Sequence, residues 1–313
     1  MVDVANIERL LAEWENSKDF KDAASRMKPL HRGVMPRTYV GSRYGADGAG
    51  GVRLPRLLVM SINQSRQGQN ISDDEVRRSL GTIKQNAQGR YMPDGFGPRA
   101  LAANLSRWIF MGCGVPGDSL TPEAVHDMIA YDNFVKWAFD TPNGTPPKEA
   151  WPLFYRLNRD MIETIKPDIL LCLGRPPYDH LWRALTKGDS RYESKTIVSN
   201  WAFCILAPWG RCEIGWCYHY SNPIYPNRAW RLIQDGKPVP PKIRGFVGDL
   251  VDTSPKALVE HMERIRNDEG GHPWWGQDVY EGVEYTLYNH FSRFVADRVC
   301  QALVRRWRDR SGE

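Results

Sequence analysis

Residues 166–182, KPDILLCLGRPPYDHLW, decide the fold class of this chain. Pro167 ends the helix predicted over Trp151–Ile165, because a proline lacks the backbone N–H that a helix interior needs. The apolar run Ile169–Leu173 then predicts a buried strand, which Gly174 closes before a second helical stretch. A strand between two helices is typical of a parallel sheet covered by helices, so the stretch predicts an α/β fold.

The same pattern continues on both sides of this unit. In RLPRLLVMSINQS, residues 53–65, the apolar run Leu57–Ser61 predicts a buried first strand. Further strands are expected within Met128–Phe139, at Lys195–Val198, at Ala202–Leu206 and in EIGWCYHYSNP at 213–223. Further helices are expected within 4–28, at Arg99–Met111, near Pro255–Asn267 and at Val279–Arg310. The sequence therefore predicts a three-layer α/β/α fold with a central, mostly parallel sheet and extra helices at both ends.

The chain has the composition of one globular domain. Hydrophobic residues make up 42% of it, which is enough for a substantial core, and no low-complexity segment separates two halves. We expect a single domain over 1–313, with a core at about 54–232, a helical N-terminal extension at 1–50 and a helical C-terminal extension at 233–313.

Several classes of protein are disfavoured by the sequence. No stretch approaches the roughly 18 apolar residues of a membrane span, and the acidic N-terminus does not resemble a signal peptide. The predicted location is therefore the cytoplasm, with no membrane partner and no obligate protein partner. The six cysteines form no CxxC pair and no Cys/His spacing typical of a metal site, so we expect reduced structural thiols, no metal and no cofactor.

Polar residues follow directly after three of the predicted strands. These segments are SINQS at 61–65, DNFVK at 132–136 and HYSNP at 219–223. Ligands of parallel α/β folds bind at the carboxyl ends of the strands, so the three segments predict one site. Taken singly, Asn63 is more typical of a turn and His219 of a core histidine; their joint occurrence in this order favours a functional role.

The order and spacing of the three segments resemble the uracil-DNA glycosylase-like superfamily. Asn63 lies where single-strand-selective and mismatch-specific members carry the Asn of a Gly-Met-Asn-Pro-Gly loop, which positions the hydrolytic water there. Ser61 replaces the first Gly of that loop, and Gln64-Ser65 replaces its Pro-Gly. Asn133 is similar to the superfamily's Asn that reads the polar edge of the flipped base.

The third segment carries the most specific match. Residues 219–230, HYSNPIYPNRAW, are similar to the His-Pro-Ser loop, whose His hydrogen-bonds the departing base. The resemblance covers about residues 54–232 and implies a monofunctional DNA glycosylase, a hydrolase that flips a base and leaves an abasic site. Asn63 and His219 are then the expected catalytic residues, and the expected base contacts are Asn133, Phe96, Gln64 and Ser65. The expected DNA contacts are Ser221, Asn222, Ile224, Tyr225, Arg228, Lys136 and Arg175, with Ile224 and Tyr225 as wedge candidates.

These residue types suit the chemistry. Cleavage of a C–N glycosidic bond develops positive charge on the sugar and negative charge on the base, which requires an oriented water and preorganised donors. Asn63 can orient the water and His219 can donate to the base. Neither the Asn63 segment nor the His219 segment contains a lysine, which argues against a Schiff-base lyase, although Lys136 in the Asn133 segment weakens that argument.

The identity of the base is a separate question. Gln64-Ser65 and the amide-rich stretch 64–90 add hydrogen-bonding groups beside the base, so uracil is not assumed. The superfamily includes a bacterial antiviral branch that excises glucosylated hydroxymethylcytosine from phage DNA, and α-glucosylated hydroxymethylcytosine is our expected substrate. The alternatives are a repair glycosylase for uracil or a damaged base, a non-catalytic DNA-binding module, and a nucleoside hydrolase or deoxyribosyltransferase.

Overall fold

The structure is a computed structural model. It describes residues 4–29, 38–48, 51–62, 98–137, 139, 146–186, 192–199, 201–217, 235, 237, 256 and 285–309. Within this part of the chain there are seven α-helices and one seven-stranded sheet. The helices are α1 Val4–Asn16, α2 Lys18–Met27, α3 Pro98–Gly112, α4 Pro122–Met128, α5 Trp151–Ile165, α6 Arg175–Thr186 and α7 Tyr285–Arg308. The strands are β1 Tyr39–Val40, β2 Leu57–Ser61, β3 Ile129–Asn133, β4 Ile169–Leu173, β5 Glu193–Ser199, β6 Ala202–Ala207 and β7 Gly210–Cys217.

The elements predicted at the centre of the chain are confirmed. β2, β4 and α5 have the predicted bounds, and α3 extends one residue beyond its prediction at each end. Two helices occupy the N-terminal segment, but the same segment also contributes β1, so the extension at 1–50 is not only helical. The predicted helix near Pro255–Asn267 lies outside the described residues except for Lys256.

The sheet is mixed, in the order β1-β3-β2-β4-β7-β6-β5. The four central strands β3, β2, β4 and β7 are parallel, whereas β1 is antiparallel to β3 and the β5–β6 and β6–β7 pairs are antiparallel. The prediction of a mostly parallel sheet is therefore wrong for the whole sheet and holds only for its centre. The reason is that Ser199 pairs with Ala202 and Ala207 with Gly210, and such two-residue hairpins can join only antiparallel strands.

Packing on the central strands explains their apolar sequences. Every residue of β2 and β4 is buried, as expected for parallel strands covered on both faces. On β7, Gly215 lies so close to α7 that an added Cβ would come within 3.1 Å of the Leu303 side chain. The next residue, Trp216, contacts Tyr178 of α6 with a centroid separation of 6.4 Å. Buried apolar residues from Ile7 to Trp307 form one cluster.

Charged side chains tie the C-terminal helix to the sheet. Glu213 of β7 is fully buried and forms ion pairs with Arg211 at 2.9 Å and with Arg306 of α7 at 3.4 Å. The Arg306 guanidinium also lies 5.7 Å from the centroid of the Trp201 ring. None of the helices in the described residues combines the length and apolar character needed to cross a membrane.

Candidate functional site

Four parallel strands end at the same edge of the sheet. Ser61, the last residue of β2, is the register partner of Asn133, the last residue of β3. Leu173 of β4 is likewise the partner of Cys217 of β7, and the next backbone N–H, that of Gly174, donates to Cys217 O at 2.7 Å. This edge is therefore formed by the carboxyl ends of all four strands.

The order of the strands indicates where a crevice is expected at this edge. After β2 the chain continues to β3 on one side, whereas after β4 it continues through β5 and β6 to β7 on the other side. Neighbouring strands whose connections leave in opposite directions create the gap in which open α/β sheets bind ligands. The expected gap is between the ends of β2 and β4, with Asn133 at the end of the strand beside β2 and Cys217 at the end of the strand beside β4.

Asn133 is held by its neighbours at the end of β3. The residue as a whole is only 3% exposed. Its backbone N–H donates to Asp132 Oδ1 at 2.8 Å, and its carbonyl accepts from Lys136 Nζ at 2.8 Å. The pairing continues past the end of both strands, because the N–H of Phe134 donates to Ser61 O and the N–H of Val135 donates to Ile62 O, each at 2.8 Å.

Tyr131 links the ends of β2 and β3 through its side chain. Its hydroxyl donates to Ser61 Oγ at 2.8 Å and lies 3.5 Å from Asn133 Oδ1. Tyr131 and Asn133 are two residues apart on one strand, so their side chains project from the same face of the sheet. The Asn133 amide therefore lies in a polar group of three side chains at the crevice.

Lys136 does not play the predicted role. It is completely buried, and Nζ forms an ion pair and hydrogen bond with Asp132, which is also completely buried. Burial lowers the pKa of Lys136, and the charge of Asp132 opposes that effect. A phosphate group does not reach a side chain with no exposed surface, so the prediction that Lys136 binds DNA phosphate is wrong.

Arg175 occupies the position expected of a DNA contact. It is the first residue of α6, directly after Gly174, and its side chain is exposed at the edge where the parallel strands end. Nε donates to Asp179 at 3.3 Å, one turn along the helix. Such an exposed ion pair is weak, so the guanidinium remains available to an anion. Its contact with DNA stays a prediction.

The other candidate residues lie outside the described residues. They are Asn63, Gln64, Ser65, Phe96, His219, Ser221, Asn222, Ile224, Tyr225 and Arg228. Along the chain, Asn63 comes two residues after the end of β2, and His219 comes two residues after the end of β7. The segments with Asn63 and His219 therefore leave the sheet at the carboxyl ends of β2 and β7.

Comparison with known protein families and with curated proteins finds no match to this chain. A fold alone does not define a function, which has to be inferred from the site. The strand ends and their side chains are therefore the basis of the proposal below.

An aromatic group beside Asn133 was not predicted from the sequence. The buried ring of Phe134 lies 5.4 Å from His180 of α6 and 5.9 Å from Tyr155 of α5. The His180 ring stacks on Trp151 at 3.8 Å, and its Nδ1 lies 3.1 Å from the Tyr155 hydroxyl. Desolvation by burial, together with the charge of Arg183, lowers the pKa of His180 to about 4, so the ring is neutral at pH 7. The i, i+4 spacing of Trp151 and Tyr155 was the available sequence signal.

The cysteines behave as structural residues. All six are free and buried, as expected. Burial raises the pKa of Cys172 and of Cys300, so both remain protonated thiols at neutral pH. In the described part of the chain, no three His, Cys, Asp or Glu side chains are grouped so that they could hold a metal ion.

Proposed function

We propose that this chain is a monofunctional DNA glycosylase of the uracil-DNA glycosylase-like fold, acting on α-glucosylated hydroxymethylcytosine in phage DNA. One observation carries the proposal. Asn133 ends β3, and along the chain Asn63 follows β2 and His219 follows β7. These three strands are parallel, and their carboxyl ends lie at one edge of the sheet. The resemblance in sequence requires these three segments to meet, and their strands are close enough for that.

Packing on both faces of β7 supports the three-layer part of the proposal. Successive residues of a strand point to opposite faces of a sheet. Gly215 lies against Leu303 of α7, and Trp216 lies against Tyr178 of α6. We infer that α6 and α7 cover opposite faces, which gives an α/β/α arrangement.

The spacing of the strands suits a nucleotide. β2 and β7 are separated by β4, so their ends lie roughly 10 Å apart at the usual spacing between strands. A group that orients water and a group that donates to the departing base must act on opposite sides of the glycosidic bond. Gly174 lies between β2 and β7 at the end of β4, where it has no side chain and a φ of 94°. We infer that the absence of a side chain here leaves room for the bond to be cleaved.

The proposed mechanism is hydrolysis with positioned groups. Asn63 orients a water whose oxygen bonds to the sugar C1′ while the electron pair of the C–N bond passes to the base. His219 donates a hydrogen bond to the developing base anion, and the water's proton ends on the base or in solvent. Asn133 holds the polar edge of the base, and its buried setting means that it requires little reorganisation during the reaction.

An alkali-cleavage assay tests this proposal. Purified protein is incubated in EDTA with matched duplexes that contain one cytosine, uracil or α-glucosylated hydroxymethylcytosine, and Asn63→Ala and His219→Ala serve as controls. We expect breaks only in the glucosylated duplex, and much slower breakage with both variants. We expect Asn63→Ala to lose turnover but to keep its affinity for DNA, because the residue acts on the water and not on the bound DNA.

Other outcomes point to other functions. Breaks in the uracil duplex favour a repair enzyme, and tight binding without breaks favours a DNA-binding module. Release of bases from free nucleosides, with no action on duplexes, favours a nucleoside hydrolase or deoxyribosyltransferase. An activity that EDTA abolishes contradicts the metal-free mechanism.

A further inference from the structure

We propose that the buried Asp132–Lys136 pair is a positioning device for Asn133, and that base recognition depends on it. The inference rests on the proposed function, because it assigns a role in the glycosylase site to two residues that do not touch the base. Asp132 accepts the backbone N–H of Asn133, and Lys136 donates to its backbone carbonyl. The ion pair thus holds both backbone groups of the residue that reads the base.

The position of the pair explains why the backbone needs such support. The pairing of β3 with β1 is described as far as Tyr131, and the register with β2 ends at Asn133. The backbone N–H groups of successive strand residues point to alternate sides of the strand. Because the N–H of Phe134 donates to Ser61 of β2, the N–H of the preceding residue, Asn133, points away from β2. Asp132 Oδ1 replaces the acceptor that a neighbouring strand would supply.

The energetics of buried charges favour a specific role over a general stabilising one. Removing two charges from water costs several kcal/mol for each ion, and apolar residues of similar volume are often at least as stable in their place. Asp132 and Lys136 have no exposed side-chain surface. The ion pair holds the N–H and the carbonyl of Asn133 at the end of β3 by hydrogen bonds, which apolar side chains cannot form.

Base recognition is sensitive to small displacements of this amide. A displacement of about 1 Å in a catalytic group can lower a rate by about 100-fold. Tyr131 contacts the Asn133 amide at 3.5 Å and Ser61 at 2.8 Å, but its hydroxyl does not fix the backbone. Without the ion pair, the Asn133 amide therefore loses its fixed position relative to the base.

A double-mutant cycle tests the inference. The pair variant Asp132→Leu/Lys136→Met replaces both charges by apolar side chains of similar volume. It is compared with wild type, with Asn133→Ala and with the triple variant, by measuring kcat and KM on the duplex that contains α-glucosylated hydroxymethylcytosine. Melting temperatures are measured on the same samples.

The cycle has a definite expected result. We expect the pair variant to remain folded and to lose roughly 10- to 100-fold in kcat/KM, mostly in kcat. The triple variant should be no slower than Asn133→Ala within about twofold, because the pair acts through Asn133. An active pair variant close to wild type, or losses that multiply in the triple variant, overturns the inference.

Matched controls separate this result from loss of stability. Arg56 and Asp168 form a similar pair at the opposite edge of the sheet, where Asp168 Oδ2 accepts the Arg56 backbone N–H at 2.9 Å. Arg56→Met/Asp168→Leu should leave kcat on the duplex that contains α-glucosylated hydroxymethylcytosine unchanged, even where it lowers the melting temperature.

A second variant covers the case in which the pair variant does not fold. Asp132→Asn keeps an acceptor for the N–H of Asn133 and should lose less activity than Asn133→Ala. A folded Asp132→Asn variant that loses as much activity as Asn133→Ala overturns the positioning role. An inactive wild type on every duplex overturns the proposed function and, with it, this inference.

Discussion

Substitution of Lys136 by Met should destabilise the fold far more than substitution of the whole ion pair. Lys136→Met leaves the fully buried Asp132 without its cation, and breaking a buried pair in this way typically costs about 3–5 kcal/mol. Unfolding entropies near 2.1 cal/mol/K per residue give about 0.66 kcal/mol/K for 313 residues. The expected loss in melting temperature is therefore roughly 5–8 °C.

The double variant Asp132→Leu/Lys136→Met removes the uncompensated charge. We expect its melting temperature to lie above that of Lys136→Met, because apolar pairs of similar volume are often neutral replacements, but below that of wild type, because the N–H and carbonyl of Asn133 lose the partners that the ion pair supplies. Both variants are compared by thermal unfolding followed by circular dichroism, and urea unfolding gives the free energies independently. Equal losses in the single and double variants would refute the reasoning, and so would an unchanged Lys136→Met.

Three further predictions follow from other parts of the structure. Burial lowers the pKa of His180 from its ordinary 6.5 to about 4, so between these pH values the unfolded chain binds a proton at His180 that the folded protein does not. The urea midpoint of unfolding should therefore fall as the pH drops from 6.5 to 4. The variant His180→Phe should show a smaller fall over the same pH range. Gly215→Val should destabilise the protein by about 1–3 kcal/mol in urea unfolding, because its side chain meets Leu303; an unchanged midpoint would contradict the packing of α7 on β7. Arg175→Ala should raise KM for DNA and reduce the salt dependence of binding while kcat stays constant; a salt slope equal to that of wild type would exclude a phosphate contact.

The elements at the centre of the fold were predictable because their boundaries are explicit in the sequence. β2 and β4 are continuous apolar runs that end at a serine and before a glycine, and α5 ends before Lys166-Pro167. Both faces of such strands are buried, so no alternation is needed to recognise them.

The mixed character of the sheet was not predictable in the same way. β6 and β7 are joined by the two-residue turn Pro208-Trp209, which is not one of the Asn-Gly or Asp-Gly pairs that usually mark a hairpin. In the sequence, the pair Asn200-Trp201 between β5 and β6 is not such a pair either. The apolar strands therefore looked compatible with a parallel arrangement until their pairing was known.

The candidate site was predicted as a set of strand ends, but not in its internal contacts. Lys136 follows a strand and carries a charge, so an exposed position was the natural expectation; its burial depends on the pairing with Asp132, which the sequence does not reveal. His180 and Trp151 come from different helices, and only the packing of α5 against α6 brings their rings together.

The central claim is tested most directly by identifying the product released from DNA. The duplex with α-glucosylated hydroxymethylcytosine is incubated with wild type and with Asn133→Ala, and the released base is measured by mass spectrometry. The account predicts free α-glucosylated hydroxymethylcytosine base with wild type and roughly 100-fold slower release with Asn133→Ala. Intact DNA after prolonged incubation with wild type, or equal release by both proteins, would contradict it.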